Sequence, residues 1–179
     1  MPQTVVRHES EHLYAERPPK SPEGRALAEA VLHLRRAERV QADRALAVSG
    51  LSNLDLTALR YLVQGYRDGR DLSPKDLIVM LDTSSATVTN VVDRLVQREY
   101  VTRVQHPHDR RAHYLVPTEA AIHCVDDAFG AHHSTLVSVI DGLSPDVAKT
   151  TASVISQIAE ALDQLAAAQL RPQADTPTA

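Results

Sequence analysis

The chain has 179 residues, 43% of them hydrophobic and only 3% aromatic, with a formal net charge of −4. That is apolar material for one domain with an aliphatic core, while no apolar run reaches the roughly 20 residues that a bilayer span needs. A single cysteine excludes an internal disulfide, and the acidic balance is not that of a protein that coats nucleic acid indiscriminately.

Residues 1–20 are polar and end in Arg17-Pro18-Pro19-Lys20, the composition of a flexible arm. The start lacks the basic-then-apolar pattern of a secretion signal, which implies a cytoplasmic protein. Ser21 then caps a helix, with Pro22 at its first position and Glu23 in its first turn. Ala26, Leu27, Ala30, Val31, Leu34 and Ala37 form its apolar face, and Gly50 stops it. Ser52 or Asn53 caps a second helix, with Leu56, Leu59, Leu62 and Val63 inward and Gly65 and Gly69 marking its end. Asp71-Leu72 is a candidate short strand. Ser73-Pro74-Lys75-Asp76 again gives cap, proline and acid in order, opening a short helix that ends near Leu81. Leu77, Ile78 and Leu81 would pack on the next helix, with Asp82 and Thr83 as the turn between them.

That next helix is the most informative stretch. Val88, Val91, Val92, Leu95 and Val96 recur at helical spacing, and Thr83 or Ser84 can cap the start. The other face carries Thr83, Ala86, Thr87, Asn90 and Arg94, with Thr89 on the flank. Small hydroxyl and amide side chains are poor helix formers, but they suit a helix whose backbone comes close to base edges. Asn90 can bond an adenine edge bidentately, Thr87 can offer its methyl to a thymine, and Arg94 can reach a phosphate. Strands follow at Tyr100–Gln105 and Ala112–Val116, the second with Tyr114 and Val116 alternating against His113 and Leu115. Between them His106-Pro107-His108-Asp109-Arg110-Arg111 makes a turn. Its two arginines suit a minor groove, and Asp109 can orient a neighbouring guanidinium.

The candidate DNA-contacting set is therefore Thr83, Ser84, Ser85, Ala86, Thr87, Thr89, Asn90 and Arg94 on the helix, with Arg103, His106, His108, Asp109, Arg110 and Arg111 on the hairpin. Positive charge is concentrated there: Arg94, Arg98, Arg103, Arg110 and Arg111 face only Asp93, Glu99 and Asp109. On these residues alone, an amphipathic helix followed by a solvated charged turn stays open.

Thr118-Glu119 starts a long helix that runs to Asp141-Gly142, with Ile122, Val125, Phe129, Leu136, Val139 and Ile140 at helical spacing. Ser144-Pro145-Asp146 opens the last one, with Val147, Val154, Ile155, Ile158, Leu162 and Leu165 on one face. The first, fifth and sixth helices carry more apolar stripe than a small winged domain can cover, which predicts burial against a second copy; an intramolecular bundle is the alternative. The layout is a flexible arm at 1–20, a dimerisation helix at 21–50, a DNA-binding lobe at 51–117, C-terminal dimerisation helices at 118–167 and a disordered tail at 168–179.

ATVTNVVDRLVQREYVTR followed by HDRRAHYLVPTEAA, with LSNLDLTALRYL and LSPKDLIVML upstream, resembles the MarR (multiple antibiotic resistance regulator) family of bacterial transcription factors. The resemblance implies a mainly α fold with a small β-wing: a dimeric winged helix-turn-helix plus long dimerisation helices. It implies that Arg111 reaches the minor groove with Asp109 as its supporting acid. It also implies small aromatic or phenolic effectors that bind between the dimer helices and the winged lobe and release DNA. Three positions depart from the family pattern: Glu99 replaces a common Gly, where a left-handed backbone would carry a cost, Pro117 a Leu and Ala121 a Gly.

Two features suggest other switches. His106, His108 and His113 cluster on the hairpin and His132-His133 on a helix, but the spacing shows no closed four-ligand metal site. His123-Cys124 resembles a thiol sensor, but neighbours in a helix do not face each other, and Cys124 fits a small buried or half-buried hydrophobe. No phosphate-cradling loop, zinc-protease motif or triad points to an enzyme, and no cofactor is implied. The expected function is a sequence-specific transcriptional regulator, a ligand-responsive repressor acting as a homodimer on an inverted-repeat operator. The alternatives are a MarR-like protein with a thiol- or metal-sensing switch, or a protein-binding scaffold that has lost DNA binding. Intact Asn90, Arg110 and Arg111 speak against the scaffold.

Overall fold

The computed structural model describes residues 18–105 and 113–169. These residues form six helices, α1 (Pro22–Ser49), α2 (Asn53–Arg67), α3 (Pro74–Met80), α4 (Ser85–Gln97), α5 (Glu119–Asp141) and α6 (Pro145–Gln169), and two strands, β1 (Val101–Gln105) and β2 (His113–Pro117). One compact unit ends at His132 and a second begins at His133. The expected arm, hairpin tip and tail lie largely outside the described residues.

Local chemistry sets the helix boundaries. Ser21, Ser52, Ser73 and Ser84 are the caps of α1 to α4, each accepting a bond from a first-turn amide. At α3 the cap is reciprocal, because Asp76 also accepts from the Ser73 amide at 2.7 Å. Gly50 closes α1 in the left-handed region, φ 61°, and its amide bonds the Leu46 carbonyl. Gly65 does not end α2. It lies inside the helix, where a Cβ would stand 2.8 Å from Leu72 Cδ1. Its missing side chain makes room for the returning chain, and Gly69 at φ 67° makes the turn.

The core of the first unit is aliphatic. Leu59 and Leu62 of α2, Leu77 of α3, Val88, Val91, Val92 and Leu95 of α4, Val101 of β1, Leu115 of β2 and Ala121 of α5 are buried together. Each Leu or Val withdrawn from water in this way contributes about 1.5–3 kcal/mol relative to exposure. Tyr61, Tyr100 and Phe129 only flank it. β1 and β2 are antiparallel, with Val101 opposite Pro117 and Gln105 opposite His113. The expected third strand is a single bridge, Leu72 to Leu115. Of the two alternating sets on β2, the one containing Leu115 and Pro117 faces inward, while Tyr114 and Val116 are half-buried and His113 is exposed. The Leu72 bridge fixes this phase, because the Leu115 amide donates to the Leu72 carbonyl at 2.8 Å.

Polar ties join α5 to the rest of this unit: Arg67 to Asp126 at 2.8 Å and His132 to Glu38 of α1 at 3.2 Å. Arg60 lies 5.2 Å from the centre of the Phe129 ring. Cys124 is half-buried and hydrogen-bonded to Tyr100, whose phenol burial and that bond hold above its ordinary pKa. In α1 only Leu32 and Ala45 are buried, and in α6 no residue is. The apolar stripes of both helices are exposed in the single chain, for example at Leu34, Val40, Ile155 and Leu162. Among the described residues, no helix is long and apolar enough to cross a membrane.

Candidate nucleic-acid interface

The exposed side of α4 is formed by Ser85, Ala86, Thr89, Asn90, Asp93 and Gln97. Ser84 and Thr87 bond each other through their hydroxyls at 2.9 Å, and the Ser84 oxygen caps the Thr87 amide at 3.2 Å. Thr87 is half-buried. Thr83 is also half-buried and sits in the turn before the helix, its amide bonded to Ile78 at 3.2 Å. The Thr89 hydroxyl is turned back to the Ser85 carbonyl at 2.9 Å. The Asn90 amide has no partner among the described residues and stands near the middle of this face, free to bond something else. The surface is narrow and short-chained, and the helix backbone is accessible along it.

Arg94 stands at the edge of this face, its side chain 47% exposed. It follows buried Val91 by three residues and points toward α2, where Nη2 meets Asp55 Oδ1 at 2.6 Å and Nε bonds both carboxylate oxygens at 3.1 and 3.2 Å. The structure thus gives Arg94 a protein partner that its place in the sequence did not indicate. The Asp55 bond also holds its guanidinium more firmly protonated than usual. Arg98 donates to the Gly50 carbonyl at 3.0 Å, and Arg103 on β1 pairs with Asp93 on α4. Three arginines of the basic cluster are therefore engaged within the fold. Their partners lie 39, 48 and 10 residues away, and only the last is close enough for a sequence pattern to suggest it. Lys75, which nothing in the sequence singled out, is exposed on α3 with no partner among the described residues.

His106, His108, Asp109, Arg110 and Arg111 lie outside the described residues. Among the described residues, no three His, Cys, Asp or Glu side chains converge as metal ligands. A cavity of about 550 Å³ opens between α2 and α3, lined by Tyr61, Gln64, Gly65, Arg70, Leu72, Asp76, Val79 and Met80.

A three-helix core with α3 and α4 as a helix-turn-helix and an antiparallel hairpin directly after it is a winged helix-turn-helix, the architecture of DNA-binding regulators. The model of the MarR family matches residues 49–112, the winged lobe of this chain. No curated protein matches the sequence. Solved structures of MarR-type regulators share the fold. MepR of Staphylococcus aureus bound to ethidium bromide is 18% identical, superposes with a TM-score of 0.61, and is matched over 75% of this chain and 95% of its own. The MepR–DNA complex gives 18% identity, a TM-score of 0.56, and coverage of 73% and 95%. YusO of Bacillus subtilis gives 19%, 0.53, and 79% and 99%.

Proposed function

We propose that the protein is a sequence-specific DNA-binding transcriptional regulator acting as a homodimer, a ligand-responsive repressor. The observation that carries this is the exposed side of α4: small side chains at Ser85, Ala86 and Thr89, two charges, Asp93 and Arg94, each paired within the fold, and an Asn90 amide free to bond a base edge. Elsewhere the same helix is held by buried valines and leucine. In this reading α4 enters the major groove, and Ser84, Ser85, Ala86, Thr87 and Thr89 line the approach. Lys75 meets a phosphate, and Arg110 and Arg111 reach the minor groove. Solved complexes of MepR with DNA support the reading at the level of fold.

Two copies supply what one lacks. One helix reads a few base pairs; two related by a two-fold axis read an inverted repeat with centres about 10 base pairs apart. The exposed apolar residues of α1 and α6 are the surface for that pairing. The effector is a small aromatic or phenolic molecule, a class suggested by the family and by the MepR structure with ethidium bromide. Footprinting on the DNA flanking the protein's own gene, with and without such compounds, tests the proposal. A protected inverted repeat that is lost on adding a compound supports it. Failure of the protein to protect any flanking segment overturns it.

A further inference from the structure

Asp55 is the one charged residue in the buried core among the described residues, 5% exposed. It stands at the third position of α2, where Ser52 Oγ donates to its Oδ2 at 2.7 Å and accepts from its amide at 3.2 Å. Onto this carboxylate Arg94 lays two of its nitrogens, Nε and Nη2. A guanidinium held this way is fixed in plane and direction, which a single charge contact cannot do. One helical turn later, on the same face, Arg98 Nη1 donates to the carbonyl of Gly50, the left-handed residue that ends α1. Both arginines therefore grip the same corner, the Gly50–Asp55 segment that turns α1 into α2.

Buried valines set how deep α4 sits, but smooth apolar contacts restrain its rotation weakly. Directional bonds at two levels of the helix stop both roll and slide. Rotation is what matters at Asn90, one turn before Arg94 and about 40° around the helix, because a bidentate base contact tolerates an error of only about 0.5 Å or 10–20°. We infer that Arg94 and Arg98 are positioning residues that lock α4 to the α1–α2 corner and so set the angle at which Asn90 meets a base. They are not phosphate contacts. This rests on the reading of α4 as the DNA-reading helix. Any ligand that displaces the corner re-aims Asn90 without touching it.

The test uses the full chain with D55N, R94Q, R94K, R98A and the D55N/R94Q double variant. Affinity is measured for the footprinted operator and for unrelated DNA over a range of salt. Positioning predicts that D55N, R94Q and R94K each lose about tenfold in affinity for the operator and little for unrelated DNA, the size of one misplaced base contact. The double variant should be no worse than either of its singles, and the salt slope should be unchanged. Lys keeps the charge but not the fork, so R94K separates the two roles. If R94Q flattens the salt slope by about 0.9 per subunit, or if R94K or D55N binds as well as the parent, the inference is overturned. Hydrogen exchange of the free protein reads the lock without DNA. Faster exchange of α4 amides in R94K and R98A supports it, and unchanged exchange overturns it. Should the parent bind no DNA while exchange responds as expected, the functional reading falls and the lock stands.

Discussion

Arg103 on β1 is ion-paired with Asp93 on the exposed side of α4, so a cation of the wing is neutralised before any phosphate arrives. Both side chains are about half exposed, and such pairs are worth little in stability. The consequence lies in the field the lobe presents to DNA. D93N should leave the fold intact and free Arg103. Filter-binding titrations against salt should then show a slope steeper by about 0.9 per subunit, one further phosphate neutralised. An unchanged slope would show that Arg103 remains out of reach of the backbone.

Asn90 is exposed and has no partner among the described residues, so its removal should cost the fold little. N90A should melt with the parent, yet lose about 1–3 kcal/mol of discrimination at particular base pairs. Binding selection from a randomised operator reads this directly. Relaxed preference at symmetric positions in the two half-sites is the expected result, and uniform weakening at all positions would argue for a mere backbone contact.

Glu99 occupies the left-handed region at φ 60°, directly after α4, and its carbonyl accepts the Thr118 hydroxyl at 2.9 Å. A side chain there costs about 1–2 kcal/mol, of which glycine returns part to the flexibility of the unfolded chain. E99G should therefore raise stability by about 0.5–1 kcal/mol in urea unfolding, and E99A should not.

These positions show how far the sequence carries. Capping serines, the prolines behind two of them and the stop at Gly50 are local signals, each decided within a few residues, and the helices fall where they indicate. The strain at Glu99 was legible only through the family resemblance, whose pattern has a glycine there. Partners far along the chain were not. Asp55 has the pattern of an ordinary first-turn acid, and nothing near it announces an arginine 39 residues on. Arg94 and Asn90 are four residues apart and share a polar stripe on paper, but 40° of helical rotation carries Arg94 to the α2 side. Which strand face of β2 is inward depends on Leu72, a contact that no alternation within β2 encodes.

Asp76 links the opening of the helix-turn-helix to pH. Bonds from the Ser73 amide and hydroxyl hold its carboxyl below the usual aspartate pKa. A carboxylate lowered on folding adds stability above its unfolded value, about 3.9, and loses it as pH falls through the folded value. D76N should lower stability at neutral pH by about 0.5–1 kcal/mol, the scale of a lost cap. The gap between parent and variant should close below about pH 4. Denaturant melts at neutral and acid pH provide the check, and a gap that persists in acid would mean that the charge of Asp76 is not what matters.

Gly65 and Gly130 both lie within helices, and they should respond oppositely to alanine. Alanine gains up to about 1 kcal/mol over glycine in a helix interior. At Gly130 nothing lies within 4 Å of the added Cβ, so G130A should be stabilising by about 0.5–1 kcal/mol. At Gly65 the Cβ would stand 2.8 Å from Leu72 Cδ1, 2.9 Å from its Cγ and 3.2 Å from the Arg70 carbonyl. A side chain can yield, but the Arg70 carbonyl is backbone, and overpacking of this kind costs about 1–3 kcal/mol. The clash outweighs the propensity gain, so G65A should be destabilising by about 1 kcal/mol. Because the Leu72 carbonyl holds the Leu115 amide, the displacement should also speed exchange of that amide in β2. Stabilisation at both glycines would mean that Leu72 and its connection move freely, and that the bridge does not hold the wing in place.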